Sequence, residues 1–300
     1  MLVIGSANMD VVVRADRAPA AGETVLGLDY TLYPGGKGAN QAIAARRAGA
    51  QVKFCACLGE DAHGAALQAA LAADGVELSG LRHCETPSGV ALITVEASGE
   101  NRIIVVPGAN HRLTPEMLPA TIPPGTLLLA QLEVPIETVL AGAAKIRAAG
   151  GCVVLNPSPV AGLAETARAR LLEAADVVLA NESEAAALLG MPTLTDPALA
   201  ARRLAQGRRA AVITQGARGV VWAGSEGHGE MPAHDITPLD TTACGDAFAG
   251  AFAAALEEGA ALAQAVRFGN GAGALAALTR GAQPSLPRRD AILARLALSP

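Results

Sequence analysis

Short apolar runs closed by turn residues alternate with longer alanine- and leucine-rich stretches through most of the chain. Leu2–Ile4, Val52–Ala56, Thr126–Leu129, Cys152–Leu155, Val177–Leu179 and Ala211–Thr214 have the length and the β-branched content of buried strands. Between them, Gly38–Arg47, Gly64–Ala73, Ile136–Ala149, Glu165–Ala174 and Glu184–Leu189 read as helices. This alternation predicts an α/β fold, a central and mostly parallel sheet with helices on both faces. After Val220 the pattern changes to two turn-rich strands, then to alanine-rich helices that run almost to the end. A single domain over residues 1–300 accounts for the chain.

Two stretches break the alternation, at about residues 11–33 and 89–106. Val11-Val12-Val13, Thr24-Val25-Leu26, Val90 to Val95 and Arg102 to Val106 are strand-like, and Ala97-Ser98-Gly99-Glu100-Asn101 suits a hairpin turn. Strands inserted between α/β units predict a separate small β-sheet, placed where it can act as a lid over the mouth of the main one.

Composition narrows the class. Hydrophobic residues make up 51% of the 300 positions but aromatic residues only 2%, so alanine, leucine and valine must fill the core. A charged fraction of 17% is too low for a disordered chain, and a net charge of −5 offers no electrostatic grip on nucleic acid. The longest strongly apolar stretch, Ala247–Leu256, is too short to span a bilayer, so no membrane partner is expected. Leu2-Val3-Ile4 running into Gly5-Ser6-Ala7-Asn8 resembles no signal-peptide core, and a cytoplasmic setting is expected. Cys55, Cys57, Cys84, Cys152 and Cys244 are odd in number and lack zinc-site spacing, which predicts free thiols.

Candidate chemistry gathers at the predicted ends of strands. Tyr33-Pro34-Gly35-Gly36-Lys37-Gly38-Ala39-Asn40 allows close approach of backbone to a ligand, with Lys37 and Asn40 as donors; an ordinary strand-to-helix turn is the alternative. Its spacing is not that of a phosphate-binding P-loop. Asn8 and Asp10 stand where a first strand ends, the place where open α/β sheets bind ligands, although solvated loop residues occur there too.

Asp240-Thr241-Thr242-Ala243-Cys244-Gly245-Asp246 precedes an apolar helix, so Ala243, Cys244 and Gly245 would present consecutive N–H groups to developing negative charge. Asp246, in the first turn, is placed to accept a proton from a hydroxyl or simply to compensate the helix dipole. Asn181-Glu182-Ser183-Glu184 could orient hydrated Mg²⁺ or form an N-cap with its partner, and Thr214–Gly219 suits nucleotide phosphates or a plain β-turn. Gly269-Asn270-Gly271-Ala272-Gly273 has no strand before it and reads as helix-packing glycines. No HExxH pair and no GxSxG elbow is present.

In order and spacing, these motifs together resemble the ribokinase family of sugar and nucleoside kinases, from Gly5-Ser6-Ala7-Asn8-Met9-Asp10 to Gly281–Pro287. Gly35–Gln41, Pro107-Gly108-Ala109-Asn110, Gln131-Leu132-Glu133, Asn181–Glu184, Thr214–Gly219 and Asp240–Gly250 fall where that family has them. The resemblance implies transfer of a phosphoryl group from ATP to the 5-hydroxyl of D-ribose, with Asp246 as base and Ala243, Cys244 and Gly245 as the anion hole. Asn8, Asp10, Gly36, Lys37, Gly38, Ala39, Asn40 and Glu133 would hold the sugar. Asn181, Thr214, Gln215, Gly216, Ala217, Arg218, Gly219, Gly245 and Asn270 would contact ATP, with Glu184 near Mg²⁺. A monovalent cation, usually K⁺ in the family, would lie among Asp240, Thr242, Ala276, Thr279, Gly281 and Ser285. Pairing of two lids implies a homodimer.

Cys244 replaces the usual alanine, and Asn270 stands where a histidine is common. A sister kinase acting on deoxyribose, a ketohexose, a keto-deoxy sugar acid or a nucleoside is the main rival. An intact Asp246 and its turn argue against a merely sugar-binding protein. The missing glycine fingerprint after the first strand argues against a nicotinamide oxidoreductase.

Overall fold

A computed structural model describes residues 1–298. Its strands are β1 Leu2–Ile4, β2 Asn8–Arg14, β3 Asp29–Gly35, β4 Lys53–Gly59, β5 Leu81–Cys84, β6 Gly89–Val95 and β7 Asn101–Val106. They continue as β8 Leu127–Ala130, β9 Cys152–Leu155, β10 Val177–Asn181, β11 Ala210–Thr214, β12 Val220–Gly224 and β13 Gly227–Met231. The helices are α1 Lys37–Ala48, α2 Ala62–Ala73, α3 Ile136–Ala148, α4 Glu165–Ala174 and α5 Glu182–Leu188. After them come α6 Pro197–Ala205, α7 Cys244–Glu257, α8 Leu262–Ala276, α9 Ala282–Ser285 and α10 Arg289–Ala297.

The main sheet has nine strands in the order β13-β12-β11-β10-β9-β8-β1-β4-β5. All neighbours from β11 to β5 are parallel. At one edge β12 pairs antiparallel with both β11 and β13. Alternating side chains separate two cores, as a pleat of period two requires. Val3, Leu127, Leu129, Val177 and Leu179 join α1, α7 and α8 on one face. Leu2, Ile4, Leu128, Val178 and Ala180 join α3, α4 and α6 on the other.

The scarcity of aromatic residues shows in how closely helices meet. A Cβ on Gly250 of α7 would lie 2.5 Å from Ala44 Cβ and 2.7 Å from the Gln41 carbonyl of α1. The Gly269–Gly273 run lies inside α8, as read. A Cβ on Gly269 would press on Phe248, and one on Gly271 on Leu296.

The small second sheet has the order β3-β2-β6-β7. β2 and β6 pair in parallel, and the outer strands pair antiparallel to them. The hairpin at 97–101 closes with Glu96 N–H donating to Glu100 at 2.9 Å. The reading of Thr24-Val25-Leu26 as a strand is corrected. These residues lie in the connection at 15–28, no strand pairs with them, and Leu26 is 92% exposed. β5 and α6 escaped the pattern reading. β5 is a four-residue edge strand carrying Arg82 and His83, and α6 is short and starts at a proline after its Asp196 cap.

Candidate active site

From β1 the chain builds outward to β4 and β5 on one side, then returns to build β8 through β11 on the other. The crevice beyond the carboxyl ends of β1 and β8 is thus the topological switch point, where sheets of this type take ligands. Residues from both loops meet there. Glu133 Oε2 accepts from Ser6 Oγ and from the Lys37 N–H at 3.2 Å. The reading of Asn8 and Asp10 as lying where a first strand ends is corrected by one element. They open β2, the strand that carries the chain into the small sheet.

Asn110 clamps that crossing. Its Oδ1 accepts from Ala7 N–H at 2.9 Å, while its Nδ2 donates to Asn8 Oδ1 at 2.7 Å. Asn8 therefore keeps its own NH₂ as a donor. Gly36 has φ 88° and lies so close to Ala7 and Asn8 that a Cβ would sit 2.6 Å from the Asn8 nitrogen. Asp10 packs against Gly35, where a Cβ would meet its Oδ2 at 2.3 Å. Burial first, then the charges of Glu133 and Asp246, push the Asp10 carboxyl up to about 7. Gly38 and Ala39, expected at the sugar, pack α1 onto β1: a Cβ on Gly38 would lie 2.5 Å from the Gly5 carbonyl carbon, and Ala39 N–H donates to Ser6 at 2.8 Å.

Asp246 projects from the first turn of α7 and is 8% exposed. Its carboxylate takes two amide donors from α1, Asn40 Nδ2 at 3.0 Å and Gln41 Nε2 at 2.9 Å. The Gly250 contact, one helical turn further on, sets the distance between the two helices and so the length of these bonds. Ala243 caps α7 in the left-handed region at φ 58°, alone among non-glycine residues of the described chain. No side chain caps this helix. Of the three N–H groups expected to face an anion, that of Cys244 is turned inward to the Thr241 carbonyl at 3.3 Å. Around Gly245 the space is open, with no atom within 4 Å of where a Cβ would be. Burial, then Asp240 and Asp246, push the Cys244 thiol up to about 11, which leaves no thiolate for nucleophilic attack.

Two cavities meet at this turn and share Thr214, Thr241, Gly245 and Phe248. The larger, about 580 Å³, is a mainly apolar cleft reaching past Gly216, Asn270 and the 233–238 segment. The smaller, about 260 Å³, is bounded by Lys37, Asn156, Asn181, Glu184 and Asp246. Burial opposes the charge on Lys37, but Asp246, Glu133 and Glu184 outweigh it and raise its pKa.

Asn181 and Glu184 do form a capping box: Glu184 N–H donates to Asn181 Oδ1 at 2.8 Å and Asn181 N–H to Glu184 Oε2 at 2.9 Å. They cap α5 and line the smaller cavity at once. In the 214–219 turn, Gln215 N–H closes on Gly219 at 2.8 Å, and the Arg218 guanidinium pairs with Glu182 instead of entering the cleft. Asn270 lines the cleft with its Nδ2 donating to Pro232 at 2.9 Å.

The segments before α7 and after α8 converge. Asp240 accepts from Thr242 N–H and from Gly281 N–H, each at 2.9 Å, while the Ala277 carbonyl accepts from Leu239 N–H at 2.7 Å. Burial would raise the Asp240 carboxyl, but these N–H donors, the Thr242 hydroxyl and Arg280 hold it below its usual range. Thr279 N–H donates to the Ala276 carbonyl at 3.2 Å. Ser285 Oγ donates to Ala282 within α9.

Ser6, Gln41, Asn110, Gln131 and Asn156 were not singled out as site residues, although four are buried polar groups and all bond within the site. Ser6, Gln41, Asn110 and Gln131 stand in segments that match the family's register; Asn156 does not. Nothing in the sequence marks the 233–238 stretch as a cleft wall.

A fixed carboxylate at an uncapped helix N-terminus, between a polar cluster and an open cleft, suits phosphoryl transfer to a small hydroxyl compound. The chain belongs to the pfkB family of carbohydrate kinases, whose model matches residues 1–289. It is 39% identical over 295 residues to a ribokinase of Bacillus subtilis, covering 97% of both chains. Among solved structures, a ribokinase of Thermotoga maritima superposes with TM-score 0.88 at 32% identity, over 99% of this chain and 98% of that one. An Arabidopsis thaliana ribokinase complexed with ribose and ATP superposes with TM-score 0.85 at 31% identity, over 98% and 97%.

Proposed function

We propose that this kinase transfers the γ-phosphoryl group of ATP to the 5-hydroxyl of D-ribose, with Asp246 taking the hydroxyl proton. The observation that carries the reading is the position of Asp246, held by Asn40 and Gln41 of α1 and lining the smaller of the two cavities that meet at the α7 N-terminus. The sugar lies against Asn8, Asp10, Gly36, Asn40 and Glu133. Asn8 offers a donor and Asp10 offers acceptors. The buried Asn40 Oδ1, which has no partner, supports a further bond to a sugar hydroxyl.

ATP occupies the apolar cleft, its base toward Asn270 and its phosphates over Gly216, Gly219 and Gly245. The α7 N-terminus and Lys37 face the transferring group, so its growing charge meets fixed positive ends without reorganisation. In-line placement of hydroxyl and phosphorus then supplies most of the acceleration. Closure of the small sheet over the crevice excludes water from that encounter.

Mg²⁺ fits this donor set, because Glu184 and Asn181 place one carboxylate and one amide on the wall of the smaller cavity, which Asp246 also lines, beside the proposed phosphates. Glu184 and Asn181 would hold such an ion through its waters, and its charge would offset that of the phosphates. K⁺ fits the convergent segments at Asp240, which offer one carboxylate, hydroxyls and backbone carbonyls of 276–285, with Thr242 N–H, Gly281 N–H and Arg280 acting on the same carboxylate. Its charge there would firm the Ala243–Gly245 turn.

The small sheet supports a homodimer. Tyr30, Leu32, Leu92, Ile103, Ile104, Val105 and Val106 are exposed on it, and a two-sided apolar edge is covered by a second copy. The reading places the enzyme in the cytoplasm; among the described residues no helix is long and apolar enough to cross a membrane.

The test is ATP consumption measured over a panel of pentoses, 2-deoxyribose, hexoses, ketohexoses, keto-deoxy acids and nucleosides. Ribose should give the highest kcat/KM, and product analysis should place phosphate on carbon 5. A higher value with any other acceptor would replace the assignment.

A further inference from the structure

The inference concerns how the base is held, and it rests on Asp246 being that base. Asn156 Nδ2 donates to the Leu179 carbonyl of β10 at 2.9 Å. A carbonyl only accepts, so it decides which way round the Asn156 amide lies and turns its Oδ1 toward α1. That oxygen accepts one hydrogen of Gln41 Nε2 at 2.9 Å, and the second hydrogen of the same nitrogen goes to Asp246 Oδ1 at 2.9 Å. On its other side Gln41 Oε1 accepts from Gln131 Nε2. Gln41 and Gln131 are completely buried. A backbone carbonyl of the central sheet thus dictates, through two amides, that Asp246 meets a donor and never an acceptor.

We propose that Gln41 is a positioning residue whose N–H, oriented by the Leu179–Asn156 relay, fixes one oxygen of the Asp246 carboxyl group and leaves its outer lone pairs to the substrate hydroxyl. A donor bond favours the charged form of a carboxyl group over the neutral one. Inverting the Gln41 amide would set its oxygen against both Asn156 Oδ1 and Asp246 Oδ1, so the relay has one stable sense. The other ionisable groups facing Asp246 are Asp10 on β2, Lys37 on α1 and Cys244 on α7, with Glu133 and Glu184 acting on Lys37. All of them remain when Gln41 alone is changed.

The test is the single-turnover rate of phosphoryl transfer across roughly pH 5 to 9, with the sugar identified by the acceptor panel. Gln41→Met should move the acid limb of the profile upward by about one pH unit while sugar affinity stays within about threefold. Gln41→Glu keeps the shape and the Gln131 contact, which protects folding, and should move the limb further by setting a like charge beside Asp246. Gln131→Leu should lower stability yet leave the limb in place, because the sense of the relay is set from the Leu179 end.

A Gln41→Met or Gln41→Glu limb that coincides with the wild-type limb overturns the proposal, as does a Gln131→Leu limb that moves equally far. Asp246→Asn separates the two levels of the argument. If it transfers phosphate at the wild-type rate, the base assignment falls and takes the relay with it. If it is slowed by about 10²–10⁴ while the Gln41 limbs stay put, only the relay falls.

Discussion

Asp10→Asn should stabilise the ligand-free protein, and by an amount that grows with pH. The Asp10 carboxyl stands at about 7 in the folded chain against an ordinary 3.8, chiefly through burial and then through Glu133 and Asp246. The folded state therefore binds this proton more tightly than the unfolded state does. Stability from this group is fully present below the unfolded value and is lost as the pH rises toward the folded one. At 1.36 kcal/mol per pH unit the whole loss is about 4 kcal/mol, of which about 2.5 kcal/mol falls between pH 5 and 8.

Asparagine keeps the shape and cannot ionise. Urea unfolding of both proteins without sugar, at intervals over that range, isolates the effect because every other titrating group is common to the pair. The stability difference, variant minus wild type, should widen by about 2.5 kcal/mol from pH 5 to 8. A difference that stays flat, or narrows, refutes the placement of Asp10 in a shared, desolvated carboxylate cluster. Sugar hydroxyls donate to the ionised form, so wild-type KM for ribose should also rise toward tenfold per unit as the pH falls below about 7.

KCl titrated against NaCl at constant ionic strength should raise kcat, with K⁺ the better activator, and Asp240→Asn should flatten that response; equal curves for both variants would remove the cation from the 276–285 segment. Ala243→Gly relieves the left-handed backbone, a cost of about 1 kcal/mol, so its unfolding midpoint should hold or rise while kcat falls as the turn loosens. Cys244→Ala should retain most activity, since the thiol is pushed up to about 11 and its N–H is turned to Thr241; a large loss would mean that the sulfur itself takes part. Ile104→Glu, on the exposed edge strand, should shift sedimentation from dimer to monomer, and an unchanged profile would place the interface elsewhere.

The layered fold was legible because its signal is local. Strands such as Val177–Asn181 are apolar on both faces, since helices cover both, and the long helices between them carry their own period. β5 was not legible because its two central residues are the polar Arg82 and His83, one half-buried and one exposed at the sheet edge. The strand expected at Thr24-Val25-Leu26 failed for the converse reason. β-branched residues favour extension, but no neighbouring strand offered hydrogen bonds.

The site divides along the same line. Lys37, Asn40 and Asp246 stand at helix starts and Asp10 near the start of β2, beside glycines, so their grouping as candidates could be read from type and position. Gln41, Asn156 and Gln131 act through one another across 115 and 90 residues of chain, a relation invisible until the sheet is assembled. Gly250 belongs to both groups. In sequence it is one small residue in an alanine-rich helix. In the fold it lets α7 lie so close to α1 that a carboxylate on one helix meets two amides on the other. The few-aromatic, alanine-rich composition is therefore part of the geometry of the candidate site as well as of the core. Larger side chains along this seam would fill the same volume, but they would move Asp246 out of reach of Asn40 and Gln41.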